Sequence, residues 1–179
     1  MPDVVLIHGN GGCTAADLWL PSVERELSAA GLDVVNRTFP DNVKARARYW
    51  LPFLEELGAG PDTVLIGHSS GAVAAMRYAE THRVRGSVLV SACHSDLGDA
   101  GERASGYFST PWDWARITAN QDWIGIFHSA DDPLIPVAEA RFVAARLGAS
   151  YFESADRGHF IDDRTFPEVV QFVRRKLGR

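Results

Sequence analysis

Apolar residues along this chain gather into six short runs, Val4 to His8, Asp33 to Phe39, Thr63 to Gly67, Ser87 to Ala92, Trp123 to His128 and Ser150 to Glu153. The runs do not alternate polar with apolar, which is the pattern of strands buried on both faces. Amphipathic segments separate them, near Ala15 to Ala29, Val43 to Leu57, Ser70 to Thr81, Val137 to Leu147 and Thr165 to Leu177. This strand-then-helix rhythm predicts an α/β fold, a mostly parallel six-stranded sheet with helices on both faces. Right-handed crossovers leave few topologies, of which strand order 2-1-3-4-5-6 is expected. With no internal repeat, low-complexity tract or linker, residues 1–179 read as a single domain. One connection lacks a clear helix, His94 to Trp114, and a long irregular loop in a compact domain is usually functional.

The third run drives into a Gly-x-Ser-x-Gly turn, Gly67-His68-Ser69-Ser70-Gly71, with the Ala-rich segment Ala72 to Glu80 behind it. Glycines on both sides let the chain fold sharply from strand to helix and hold Ser69 on a strained backbone with its hydroxyl outward. The start of the next helix then lies beneath the serine, where free N–H groups suit developing negative charge. A tight structural turn is the bland alternative, but a β-branched strand before and an Ala-rich helix after favour a nucleophile elbow. A serine hydroxyl is a poor nucleophile near neutral pH, so a base and a group to orient it are required.

Both occur further along. The fifth run leads into Ser129-Ala130-Asp131-Asp132-Pro133, placing acids at the C-terminal end of a strand. Asp132 is preferred to Asp131 because Pro136 follows it four positions later, as in the usual hydrolase acid turn. After the sixth run, Asp156-Arg157-Gly158-His159-Phe160 carries a histidine beside a glycine. Ser69, Asp132 and His159 follow the chain order of α/β-hydrolase triads, which differs from chymotrypsin-like and subtilisin-like orders. His8 and His68 are expected to pack or hydrogen-bond, and Asp162 and Asp163 to cap the terminal helix. His82, His94 and His128 show no paired metal-ligand spacing, so neither a metal nor another cofactor is expected.

The first loop, His8-Gly9-Asn10-Gly11-Gly12, has the character of the hydrolase loop that donates one oxyanion N–H, from Asn10 or Gly11. The backbone N–H of Ser70 would be the second donor. A dinucleotide-binding fingerprint fails there, because Thr14 occupies the third glycine position and Asn36 stands where an acid is needed. Related architectures commonly insert a lid after the fourth strand. The stretch from His94 to Trp114 is short for one, so no cap domain is expected. Tyr107, Phe108, Trp112 and Trp114 are candidate walls of a substrate pocket, or else anchors of that loop on the core.

Composition narrows the function classes. A formal net charge of −5 argues against a nucleic-acid surface, and the one basic run, Arg174-Arg175-Lys176, suits the last turn of a terminal helix. No apolar stretch approaches the roughly 20 residues that cross a membrane, and Met1-Pro2-Asp3 leads straight into a strand, so a cytoplasmic location is expected. Cys13 and Cys93 are too few for a disulfide framework and read as bystanders.

The sequence resembles the small serine hydrolases related to retinoblastoma-binding protein nine, a compact branch of the α/β-hydrolase superfamily. Besides the elbow, the resemblance rests on Trp50 to Phe53, Ala74 to Val84, Ser95 to Asp99, Glu102 to Phe108, Asp131-Asp132-Pro133 and Gly158-His159-Phe160. It implies an α/β-hydrolase fold with nucleophile Ser69, acid Asp132 and base His159. A Leu-x-Cys-x-Glu motif for retinoblastoma-type pocket proteins has no counterpart, since that region reads Leu57-Gly58-Ala59-Gly60-Pro61, and such binding is not expected. The expected chemistry is hydrolysis, through an acyl-enzyme, of carboxylic esters, thioesters or activated amides of small or aromatic molecules. The rival is a catalytically inactive binding or scaffold protein on the same fold.

Overall fold

The computed structural model describes residues 1–179. Six strands form one parallel sheet: β1 (Val4–Ile7), β2 (Val34–Asn36), β3 (Val64–His68), β4 (Gly86–Val90), β5 (Trp123–Ser129) and β6 (Ser150–Ser154), in the order β2-β1-β3-β4-β5-β6. Val4 of β1 lies opposite Val34 on one side and Val64 on the other. This is the expected order and it sets β3, with its elbow, in the middle of the sheet.

Alternate strand residues point to opposite faces, and both faces are covered. Val4, Leu6, Val64, Ile66, Val88 and Val90 pack under α1 (Leu20–Ala29) and α7 (Pro167–Leu177). Val5, Ile7, Leu65, Leu89 and Ile126 pack under α2 (Ala47–Glu56), α3 (Ser70–Ala79) and α6 (Val137–Leu147). Two apolar faces explain why the strands read as unbroken apolar runs. All ten residues of α3 are buried, and its alanines allow close packing on the sheet directly behind the elbow. No helix is long and apolar enough to cross a membrane.

The stretch after β4 departs from expectation. Rather than an irregular loop, it holds α4 (Ala100–Ala104) and leads into α5 (Trp114–Ala119). The carboxylates of Asp99 and Asp113 cap these helices by accepting from the N–H groups of Glu102 and Arg116. Arg77 of α3, only 7% exposed, holds the segment down. Its guanidinium donates to the carbonyls of Tyr107 (2.7 Å) and Thr110 (2.7 Å) and stacks 3.6 Å from the Trp112 ring.

The terminal helix corrects another expectation. Its N-cap position is Phe166, with no side-chain cap, and Pro167 opens the first turn. Asp163 instead pairs with Arg157 at 2.9 Å, and Asp162 makes no cap either. The basic run Arg174, Arg175 and Lys176 does occupy the last turn, where it complements the helix dipole.

Candidate active site

Ser69 sits between β3 and α3 with φ of 55°, a left-handed conformation that costs about 1–3 kcal/mol in a non-glycine residue. The surroundings enforce it. The Ser69 N–H donates to the Val90 carbonyl at 2.8 Å, and its own carbonyl accepts from Ala72 (2.9 Å) and Val73 (3.2 Å). A Cβ on Gly67 would overlap the Gly71 carbonyl, and one on Gly71 would overlap the carbonyls of Ile7 and His8. Glycine is therefore required at both positions by close backbone approach. As the first residue of α3, Ser70 has an N–H without an intrahelical acceptor.

On the neighbouring edge, Nδ1 of His159 lies 2.8 Å from Oδ2 of Asp132 in a buried contact. The other carboxylate oxygen of Asp132 accepts from the N–H groups of Leu134 (2.9 Å) and Ile135 (3.0 Å). Burial pushes the Asp132 pKa up, but the hydrogen bond from His159 and those from the backbone outweigh it, and the net shift is downward. Asp131 faces elsewhere: one of its oxygens accepts from the Ser129 hydroxyl (2.5 Å) and from the Gly158 N–H (2.9 Å). The two adjacent acids thus divide the work, Asp132 touching the imidazole and Asp131 the backbone of the loop that carries it.

His68 joins the two halves. Its Nε2 donates to the carbonyl of His159 at 2.8 Å. Burial, with the nearby His159 adding to it, drives its pKa down to about 3, so the ring is neutral at ordinary pH. His8 is also occupied, accepting from the Phe39 N–H at Nε2 (2.8 Å) and donating from Nδ1 to the Gly9 carbonyl (2.7 Å). His128 donates from Nε2 to the Ile135 carbonyl at 3.0 Å. His94 lies 2.7 Å from Glu139, and His82 stacks on Tyr78.

Ser69, Ser70 and His159 open on one cavity of about 940 Å³, bordered on another side by Gly9 to Cys13. Its apolar lining comes from Leu18, Val73, Leu97, Leu134, Ile135 and Ile161. The four aromatic residues expected as walls are absent from it. Tyr107 is 1% exposed in the core, and Phe108, Trp112 and Trp114 pack against the same core cluster. Trp112 is occupied elsewhere: its ring stacks on the Arg77 guanidinium at 3.6 Å and on Trp114, and its Nε1 donates to the His94 carbonyl at 2.8 Å. The cysteines are closer to the site than the sequence suggested, since both Cys13 and Cys93 line the cavity. Burial raises the pKa of each, which keeps them as thiols.

In the first loop the Gly11 N–H donates to the Val43 carbonyl at 3.1 Å and is therefore not free. The Asn10 N–H makes no hydrogen bond within the chain, so of the two candidates only Asn10 presents an available donor. Its side-chain amide donates to Glu102 at 2.8 Å. Sequence reasoning overlooked Glu102, although Asp99-x-x-Glu102 has the spacing of a helix cap and would have placed α4.

Comparison with known proteins covers nearly all of the chain. Residues 4–174 match the family model described as Serine hydrolase. The chain is 48% identical over 176 residues to Serine hydrolase RBBP9 of Rattus norvegicus, spanning 97% of this chain and 94% of that protein. Its fold is similar to that of the ydeN gene product of B. subtilis, with a TM-score of 0.90 at 22% identity and both chains fully covered. Est1E from Butyrivibrio proteoclasticus, in a structure with ferulic acid bound, superposes with a TM-score of 0.78 at 14% identity over 99% of this chain and 88% of that one. Those two likenesses bear on the fold and agree with an α/β-hydrolase sheet. With the family match running from the first strand into the last helix, the chain belongs to the serine hydrolase family.

Proposed function

We propose that Ser69, His159 and Asp132 act as a catalytic triad that hydrolyses carboxylic esters, thioesters or activated amides of small or aromatic molecules through an acyl-enzyme. The observation that carries this is the buried 2.8 Å contact between His159 and Asp132 beside a strained serine opening on the same cavity. Asp132, held ionised by its depressed pKa, accepts from Nδ1–H of His159 and leaves Nε2 free as a base. Nε2 takes the Ser69 proton as Oγ attacks the substrate carbonyl, and the N–H groups of Ser70 and Asn10 receive the developing oxyanion. The imidazolium then protonates the leaving group. Water, activated by the same base, releases the acyl group and restores the serine.

A cavity of about 940 Å³, lined by aliphatic side chains together with Asp17, Asp99, Glu102 and Arg164, lies within the range of small-molecule sites and supports a small-molecule substrate. We further propose a small-molecule partner in the cytoplasm, without membrane partners, without nucleic-acid partners, against which a net charge of −5 argues, and without pocket-protein partners, for which Leu57-Gly58-Ala59-Gly60-Pro61 offers no Leu-x-Cys-x-Glu motif. The test is labelling with a fluorophosphonate probe alongside a panel of ester, thioester and aminoacyl substrates. Wild type is expected to be labelled and to turn over, and Ser69→Ala to do neither. Equal labelling of the variant would refute the nucleophile, and a steep preference for long-chain esters would refute the size class.

A further inference from the structure

We propose that Glu102 is a positioning residue that fixes the oxyanion loop by gripping the side chain of Asn10. The inference rests on Asn10 N–H being an oxyanion donor, as proposed above. Around Asn10 the loop is pinned at its neighbours: Gly11 N–H to Val43 at 3.1 Å and Gly12 N–H to Asn42 at 3.2 Å. The Asn10 carbonyl only closes a local turn, accepting from Cys13 at 3.3 Å. Its one hydrogen bond to a distant part of the chain runs from Nδ2 to Oε1 of Glu102, at 2.8 Å.

Glu102 is braced for such a role. Its own N–H is held by Asp99 (2.9 Å), and its carbonyl accepts from the Ser105 hydroxyl (2.6 Å). The Ser105 carbonyl in turn accepts from Ala47 N–H at 2.9 Å, tying α4 to the start of α2. The carboxylate stands between the main cavity and a smaller pocket of about 250 Å³, both of which Asn10 and Glu102 line. Burial there raises its pKa, and the Asn10 amide partly offsets that cost. A carboxylate placed where it is desolvated, with the oxyanion loop as its hydrogen-bond partner, suits a strut for that loop. The segment after β4 therefore borders the cavity with Leu97 and Asp99 and reaches the first loop through Glu102 on a short helix.

The experiment measures kcat and KM for p-nitrophenyl acetate and for an amine-bearing p-nitrophenyl ester in wild type, Glu102→Ala, Glu102→Gln, Asn10→Ala and the Glu102→Ala/Asn10→Ala double variant. Removing an oxyanion donor outright costs about 10²–10³ in rate, so loosening one is expected to lower kcat roughly 10- to 100-fold with KM within about threefold. Glu102→Gln keeps an acceptor for Asn10 and should restore kcat to within about threefold of wild type. Asn10→Ala should match Glu102→Ala, and the double variant should be no worse than either, because both remove the same contact. Unchanged kcat in Glu102→Ala, or additive losses in the double variant, would overturn the proposal. So would a loss confined to KM for the amine-bearing ester and shared by Glu102→Gln, which would mean that the charge touches substrate. Fluorophosphonate labelling of every variant separates the two levels: a labelled, active wild type with an unaffected Glu102→Ala sinks only the strut, whereas an unlabelled wild type sinks the triad as well.

Discussion

The elbow carrying Ser69 and the loop carrying His159 meet at one cavity but are held there by different forces. At the elbow the restraint is steric. Gly67 and Gly71 allow β1, β3 and α3 to approach until there is no room for a Cβ, and Ser69 is forced into a left-handed conformation between them. Around His159 the restraint is polar: Asp132 holds the ring, Asp131 and Ser129 hold the backbone at Gly158 and Arg157, and His68 holds the carbonyl. Phe160, next to His159, also takes a positive φ of 56°, but hydrogen bonds and a buried ring keep it there rather than close backbone packing. A serine fixed by packing and a histidine fixed by hydrogen bonds from polar and titratable groups should be displaced by different perturbations.

The largest expected effect falls on the polar side. In Asp132→Asn the new amide N–H would face Nδ1 of His159 and move the imidazole proton to Nε2, the wrong tautomer for the base role proposed for His159. A fall in kcat of about 10⁴ with the fold retained is expected. Circular dichroism together with turnover of an activated ester checks it, and a loss below tenfold would remove Asp132 from the proposed triad. Next is Gly71→Ala, where the added methyl meets two carbonyl oxygens that β1 cannot move. Overpacking against backbone is expected to cost more than about 3 kcal/mol. Thermal melting reads this directly, and a variant with the wild-type melting temperature would show that the elbow is not sterically locked.

The same contrast explains what the sequence disclosed. The elbow was legible because its residues are contiguous and its constraint is a local one, two glycines around a serine between a strand and a helix. Sheet order and both helical layers were legible because unbroken apolar runs have one economical arrangement. The pocket walls were not. Trp112 and Trp114 look like lining in the sequence, and nothing there reveals that Trp112 stacks between Arg77 of α3 and Trp114 against the core. Choosing between Asn10 and Gly11 likewise depended on Val43, whose carbonyl takes up the Gly11 N–H from a separate part of the chain. Asp162 and Asp163 misled for the same reason, since the partner of Asp163 is Arg157 rather than a helix end.

A smaller effect tests the division between the neighbouring acids. Asp131→Ala removes the acceptor for the Gly158 N–H and for the Ser129 hydroxyl while leaving Asp132 on the ring. Since a misplacement of about 1 Å can cost about 10²-fold, a looser loop is expected to lower kcat roughly tenfold. Asp131→Asn retains an acceptor and should lie between Asp131→Ala and wild type. If Asp131→Ala matched Asp132→Asn instead, the two roles would have been assigned to the wrong residues.

The mildest perturbation is acid, and it sharpens the comparison because His68, on the elbow, is tied by its side chain to the loop at the His159 carbonyl. Burial lowers the pKa of His68 to about 3 and also lowers those of His8 and His128, against 6.5 for an unperturbed histidine. Between the folded and unfolded values the unfolded chain binds more protons, so stability rises with pH across that window and is lost as pH falls below 6.5. For His68 the loss should continue towards pH 3, at about 1 kcal/mol per pH unit. Asp132 contributes in a lower window, because its folded pKa is depressed: its share is present above the unfolded value of 3.8 and disappears as pH drops through the folded one. Urea midpoints at pH 7, 6 and 5 should therefore decline, and hydrogen exchange at pH 5 should accelerate around residues 154–162 before it does in α3. A flat stability profile would mean that the buried imidazoles accept protons without unfolding, and equal acceleration in α3 would mean that the elbow is held no differently from the loop.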